Sequence, residues 1–308
     1  MSTPSLPRPG AVTLIDVFTR DARGGNPVPL VLDARTMSTA DMQAVAAQYG
    51  HESAFILPAE NPQAEWRLRF FVPAHEMEMC GHASVGSMWA LRQWGLWQSE
   101  SAVVETLSGL VYVEWDETLQ CPWISQPETR SAELHSAQTK EVLTVLFGDS
   151  APACGGRELR AINAATSRVK TLVELPDASS VHALNPDFSR MKHLCEHIDS
   201  TGLYPYAIEH PIEADASLRV HARQFPKSSG YPEDAATGIA AAALWGYLHS
   251  QGQFDKTGGV HAQCVVLQGE AMGSPSAIYV RERIDATGEN NGCWVSGQVC
   301  WRQENDHQ

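Results

Sequence analysis

The stretch Pro73–Gly95, PAHEMEMCGHASVGSMWALRQWG, decides how the rest of the chain is read. It opens on a polar strand end, tightens at Cys80-Gly81-His82 and continues as a helix closed by Gly95. A second copy of this plan follows about 157 residues later, with Gly238 in the place of Gly81. Arg69-Phe70-Phe71 precedes Gly81-His82-Ala83, and Arg223-Gln224-Phe225 precedes Thr237-Gly238-Ile239. From turn glycine to closing glycine is 14 residues in both copies, Gly81 to Gly95 and Gly238 to Gly252. The repeat predicts two related halves: residues 1–125, with 295–308 as a candidate return to that half, and residues 126–294. Each half aims a helix N-terminus at a shared cleft.

Working outward, the Ala83–Trp94 segment carries Arg92 as its single ionised residue, and Thr237–Ser250 carries no formal charge. A helix that is apolar all round is a buried helix, so each is expected inside a curved mixed sheet, an α+β architecture. Short alternating runs supply the strands. In the first half these are Val12–Phe18, Val28–Leu32, Ala54–Leu57 and Trp66–Val72, with a hairpin from Val103–Thr106 to Leu110–Trp115. Ser38 or Thr39 caps a helix over Ala40–Tyr49, which Gly50 ends. In the second half, strands are expected at Arg157–Ile162, Arg168–Leu175, Tyr204–Ile208 and Ser217–Gln224, then at Cys264–Gln268, Ala277–Arg281 and Cys293–Trp301. Helices are expected at Lys140–Phe147 and Asp187–Glu196. The region from about 120 to 155 contains a polar patch besides that helix.

The bulk numbers narrow the function classes. A chain of 308 residues with 43% hydrophobic and 19% charged residues suits two globular domains. A net charge of −14 repels a phosphate backbone and argues against nucleic acid. No apolar run approaches the roughly 20 residues of a membrane span, and the first ten residues lack the apolar core of a secretory signal. The seven cysteines are odd in number, widely spaced and without a CxxC. That pattern speaks for buried thiols in a reducing cytoplasm and against a disulfide framework or a structural zinc site.

Chemistry is expected at the two helix starts. Unpaired N–H groups and a partial positive charge there suit a carboxylate, and glycine allows close approach. Gly81, His82 and Ala83 on one side, and Thr237, Gly238 and Ile239 on the other, are the candidate binding residues. Against this stands the plainer reading that the glycines only make tight turns. Glu52, before an apolar strand, and Asp234, before the second helix, are candidate proton carriers, since desolvation favours the protonated form of a carboxylate. Their plainer readings are a solvated loop end and a helix cap. His82 is able to hold a substrate or relay a proton, or merely to bond nearby backbone. His75, Glu76, Cys80 and His82 cluster in sequence, but without HExxH or paired CxxC the stretch is no metal signature. Cys80 lacks an identifiable base and orienter for a nucleophile's role. No GxGxxG and no Walker motif occurs, so no cofactor is expected.

At these residues the chain resembles the phenazine-biosynthesis PhzF-like isomerase family. The similarity runs through Ile15-Asp16-Val17-Phe18, Gly24-Gly25-Asn26-Pro27, Glu52-Ser53-Ala54-Phe55 and Arg67–Pro73. It continues through Glu78–Ala83, Pro232-Glu233-Asp234 with Thr237-Gly238, Gln268-Gly269 and Gly273–Ser276. The resemblance implies a diaminopimelate epimerase-like fold of two similar domains, each a curved mixed sheet around a central helix. It also implies cofactor-free proton transfer on a small carboxylate in the interdomain cleft, and commonly a homodimer. Glu52 takes the family's acid/base position, His82 and Asp234 contact substrate, and the Gly81 and Gly238 turns bind its carboxylate. This chain departs at His51, where serine is frequent, at Ala235 for proline, at Ile239 for serine, and at Ser274, where an arginine is usual. These departures bear on the substrate more than on the reaction class. A lyase or hydratase of the same proton-abstraction class, or a binding protein that kept the pocket, are the alternatives. Relatives with this fold that use two thiols need one at each helix start, and the segment from Asp234 to Ile239 has none.

Overall fold

The computed structural model describes residues 4–148, 158–209, 217–254 and 263–302. The chain divides into two compact units, one of residues 1–125 with 295–308 and one of residues 126–294.

In the first unit the elements run β1 (Val12–Thr19), β2 (Asn26–Val31), α1 (Thr39–Tyr49), β3 (Ser53–Pro58), β4 (Trp66–Val72), β5 (His75–Met77) and α2 (Gly81–Gln93). β6 (Ser101–Thr106), β7 (Gly109–Asp116) and β8 (Cys121–Gln126) follow, and the Gln298–Trp301 strand returns to this unit. That last strand pairs antiparallel with β1, and β1 antiparallel with β2. β2 runs parallel to β3, β3 antiparallel to β4, β4 parallel to β6 and β6 antiparallel to β7. Each parallel step requires a crossover, and helices α1 and α2 supply them. α1 begins at Ser38, whose hydroxyl accepts from the Asp41 amide in a capping box, and ends at Gly50 with φ 70°. It packs on Met42 and Ala46 against Val31, Phe55 and Phe71, the two phenylalanine rings meeting edge-on at 5.4 Å.

In the second unit the elements run β9 (Arg130–Glu133), α3 (Ser136–Phe147), β10 (Ala161–Ala165), β11 (Lys170–Glu174), α4 (Ala178–His182), α5 (Phe188–His197) and β12 (Gly202–Glu209). β13 (Leu218–Ala222), β14 (Phe225–Pro226), α6 (Gly238–Ser250), β15 (Gln263–Gln268) and β16 (Ser276–Ile284) follow, and β17 (Asn290–Ser296) completes it, its last two residues belonging to the first unit. The pairing is antiparallel for β9–β10 and β10–β11, parallel for β11–β12, antiparallel for β12–β13, parallel for β13–β15 and antiparallel for β15–β16. This is the first unit's sequence of parallel and antiparallel steps over again. The second unit replaces α1 by α4 and α5, and α6 stands where α2 stands.

The duplicated glycine spacing has a physical cause. α2 and α6 are both 13 residues long. Both stop in the same way: the Gly95 amide donates to Arg92 O and Leu96 to Leu91 O, while Gly252 donates to His249 O and Gln253 to Leu248 O. That pair of bonds needs a left-handed residue just past the helix, and Gly95 (φ 71°) and Gly252 (φ 65°) provide it. Residues Gly81 to Leu91 of α2 are buried without a break. At Gly86 the helix lies so close to β1 that an added Cβ would stand 2.6 Å from Ile15 Cδ1.

Several sequence expectations change. Cys121–Gln126, where no strand was expected, is a strand buried at every position. Arg130–Glu133 pairs with β10, and the short helix α4, capped by Asp177, was not anticipated. The run expected as one strand from Cys293 to Trp301 is two, interrupted at Gly297. Arg157, where one strand was expected to begin, and Cys154 lie outside the described residues. The other six cysteines are free thiols. Among the described residues no helix is long and apolar enough to cross a membrane.

Candidate active site

In the first unit the helix start brings together residues far apart in sequence. α1 ends at Gly50, so Glu52 lies in the short link that turns into β3. Cys80 is the N-cap residue of α2 and His82 lies in its first turn. Cys80 Sγ stands 3.3 Å from Glu52 Oε2 and donates to it. The His82 ring lies 3.5 Å (Nδ1) and 3.9 Å (Nε2) from the same sulfur, and His82 Nε2 is 3.4 Å from Glu52 Oε2. Cys80 is 3% and His82 5% exposed, whereas the Glu52 side chain keeps 23% exposure. All these contacts use Oε2, so Oε1 has no protein partner among the described residues.

This geometry revises the sequence-level clustering. Among the described residues the partners of the His82 ring are a thiol and a carboxylate. His75 is exposed and Glu76 is occupied by Arg69, so neither joins Cys80 and His82. Glu52, Cys80 and His82 each offer one ligand atom within 4.8 Å of the other two. No spacing signal could have shown this, because Glu52 and Cys80 are 28 positions apart.

His51 sits beside the trio. Desolvation pushes its imidazole below the ordinary histidine value although the residue keeps solvent contact. Arg302 and His82 push the same way, against Asp16 and Glu52. Arg302 is itself held by Asp16 through two hydrogen bonds of 2.6 and 3.0 Å.

In the second unit Asp234 leads into α6 and its amide donates to Gln224 O at 3.0 Å. The N-cap residue of α6 is Thr237. The Thr237 hydroxyl donates to Asp234 Oδ2, and in neither α2 nor α6 does the N-cap side chain accept from a helix amide. The first amides of both helices, those of Gly81, His82 and Ala83 and of Gly238 and Ile239, therefore face outward from the helix without that side-chain acceptor. Gln268, fully buried on β15, organises this start: its amide donates 2.7 Å to Asp234 O and 3.1 Å to Thr237 Oγ1, and its carbonyl accepts from Tyr204 OH at 2.9 Å. Gly269 makes that approach possible. Its φ is 76°, and a Cβ there would stand 2.1 Å from Ser274 O and 2.8 Å from Ala235 O. Sequence reasoning did not place Gln268 in the site; its inward position on a strand was the available signal.

The loops before the two helices are clamped alike. Arg69 on β4 holds Glu76 through bonds of 2.6 and 2.7 Å and covers the Phe71 ring at 5.1 Å. Arg223, just past β13, holds Glu233 through bonds of 2.8 and 2.7 Å and covers the Phe225 ring at 4.8 Å. A planar guanidinium serves both contacts at once, which lysine does not.

The mixed-sheet, helix-poor architecture repeated in two units is an epimerase-like fold. The family model for phenazine biosynthesis-like proteins, PhzC-PhzF, matches residues 15–302. The chain belongs to that family and is an enzyme of the isomerase class. A Deinococcus radiodurans protein named as an uncharacterized isomerase is 30% identical over 278 residues, covering 89% of this chain and 87% of that one. A Bacillus anthracis protein of the PhzF family superposes with a TM-score of 0.78 at 23% identity, covering 95% of this chain and 96% of that one. A hydroxyproline epimerase from Agrobacterium vitis, solved with trans-4-hydroxy-L-proline bound, superposes with a TM-score of 0.55 at 12% identity, covering 95% and 90%. Both structures speak to the fold.

Proposed function

We propose that this chain moves a proton on a carbon of a small carboxylate substrate, with Glu52 as the proton carrier. The observation that carries the proposal is the state of Glu52. One oxygen, Oε2, is held by Cys80 and His82, and the other, Oε1, is left to the substrate. A carboxylate fixed at one oxygen and open at the other has the geometry of a general base that becomes a general acid. The substrate carboxylate is placed at the amides of Gly81, His82 and Ala83, where charge delocalised onto it after deprotonation is stabilised by fixed N–H dipoles. Gly238, Ile239 and the Thr237 turn offer the same chemistry in the second unit, and Asp234 is the substrate-contacting carboxylate there. With Ile239 in place of a serine, that start offers a backbone amide and no hydroxyl.

The experiment is deuterium wash-in. Candidate small carboxylates, incubated with the enzyme in D2O, are followed by proton NMR. Deuterium at one carbon with an unchanged skeleton supports the isomerase. Deuterium uptake with loss or gain of water, or with another group departing, points to a lyase or hydratase. Binding without exchange by any ligand that occupies the site contradicts the proposal.

A further inference from the structure

We propose a second site, a divalent transition-metal site in the second unit, formed by His182, His221 and Glu270. The three come from separate elements: His182 ends α4, His221 lies on β13, and Glu270 opens the 3-10 turn Glu270–Met272 that follows β15. His221 Nδ1 is 2.8 Å and His182 Nε2 3.1 Å from the same oxygen, Glu270 Oε2. One ligand atom from each lies within 4.8 Å of the others. Zinc bonds of about 2.0–2.2 Å to nitrogen and oxygen put tetrahedral ligand atoms roughly 3.3 Å apart. The two separations to Glu270 Oε2, 2.8 and 3.1 Å, fall a few tenths of an ångström short of that, and the two nitrogens lie within 4.8 Å of each other.

Two further observations point to an ion. Glu209 Oε2 lies 3.2 Å from His221 Nε2, the nitrogen that does not face Glu270. A metal-bound histidine characteristically donates its other N–H to a carboxylate, and this pair has that form. The second is that His221 faces a carboxylate oxygen with each nitrogen, Glu270 Oε2 at Nδ1 (2.8 Å) and Glu209 Oε2 at Nε2 (3.2 Å), so an ion held at Nδ1 by His221, His182 and Glu270 leaves Nε2 to Glu209. Imidazole donors favour zinc, cobalt, nickel or copper over magnesium and calcium.

The surroundings hold the ligands in place. β13 pairs with β15 through His221 and Leu267, and Gly269 and Gly273 clip the turn from both ends in left-handed conformations. Arg223 fixes the end of α4 by donating to the carbonyls of Val181 (3.3 Å), His182 (3.1 Å) and Leu184 (2.7 Å). An ion here would tie α4 to the segment that carries Gln268, two residues from Glu270.

The test uses the full-length Cys80→Ser protein, so that the Glu52, Cys80 and His82 group offers no thiolate. After chelation and dialysis, Co2+ absorption and Zn2+ competition against a chromophoric chelator give stoichiometry and affinity. The expected result is one ion per chain, a Co2+ spectrum without a thiolate band, and an affinity lowered at least 100-fold by His182→Gln or His221→Ala. Glu209→Gln is expected to lower it 10–100-fold. Circular dichroism checks that each variant is folded. If His221→Ala fails to fold, His182→Gln, on the more exposed α4, decides. No binding at micromolar ion by the Cys80→Ser protein, or a loss below tenfold in a folded His182→Gln variant, overturns the site and leaves a histidine–carboxylate ion pair.

Discussion

Cys80 Sγ stands 3.3 Å from Glu52 Oε2 and 3.5 Å from His82 Nδ1, which makes the thiol the bridge between the carboxylate and the imidazole. A bridge orients its neighbours without bonding to the substrate carbon. Cys80→Ser, which keeps a donor, is expected to retain kcat within about threefold. Cys80→Ala is expected to lower kcat about tenfold with KM little changed, since one hydrogen bond of roughly 0.5–1.5 kcal/mol is lost. Steady-state kinetics on the exchanging substrate checks this. A thousandfold loss in Cys80→Ser would instead make the sulfur a reacting group.

The two arginine clamps are alike in form but differ in burial, and their variants should separate accordingly. Arg223 and Glu233 are each 9% exposed at the side chain, against 14% and 21% for Arg69 and Glu76. Arg223→Met strands a buried carboxylate and should cost about 3–5 kcal/mol in urea unfolding. Arg69→Met, where water reaches Glu76, should cost about 1–2 kcal/mol. Equal losses would show that burial does not set the difference.

His51 gives a pH signature of known sign. Its imidazole lies below the ordinary value in the folded chain, so the unfolded chain takes up the proton first as pH falls. Its contribution is fully present above about pH 6.5 and is lost as pH drops through the window between the unfolded and folded values. His51→Gln should flatten the fall in melting temperature below about pH 6.5 and leave the value near pH 8 unchanged. A fall as steep as in the parent protein would contradict the assignment.

Much of the fold was legible because it is written locally. The 14-residue glycine spacing is a 13-residue helix and one cap residue before the left-handed glycine, and helices with at most one charge announced their burial. Ser38 or Thr39 marked the start of α1 and Gly50 its end, and the cap is Ser38. What escaped lacked a local signal. Cys121–Gln126 contains a proline and two polar residues, so nothing in its composition announced a strand buried throughout. For the candidate site, Glu52, His82 and Asp234 were named from the chain, but the company they keep was not. Cys80 was set aside as an unassigned thiol, and only folding sets it against Glu52. Gln268 reaches Asp234 and Thr237 across 31 or more positions, and the Glu270 group draws on four separate segments. Periodicity reports which way a side chain points, not what it meets.

The central claim is that Glu52 carries the proton. Glu52→Gln keeps the shape and the Cys80 and His82 neighbours but cannot accept a proton at Oε1. For a carboxylate that deuterates with the parent enzyme, the variant is predicted to exchange 10²–10⁴-fold more slowly in D2O while still binding the ligand. Exchange at the parent rate by a folded Glu52→Gln protein would contradict it.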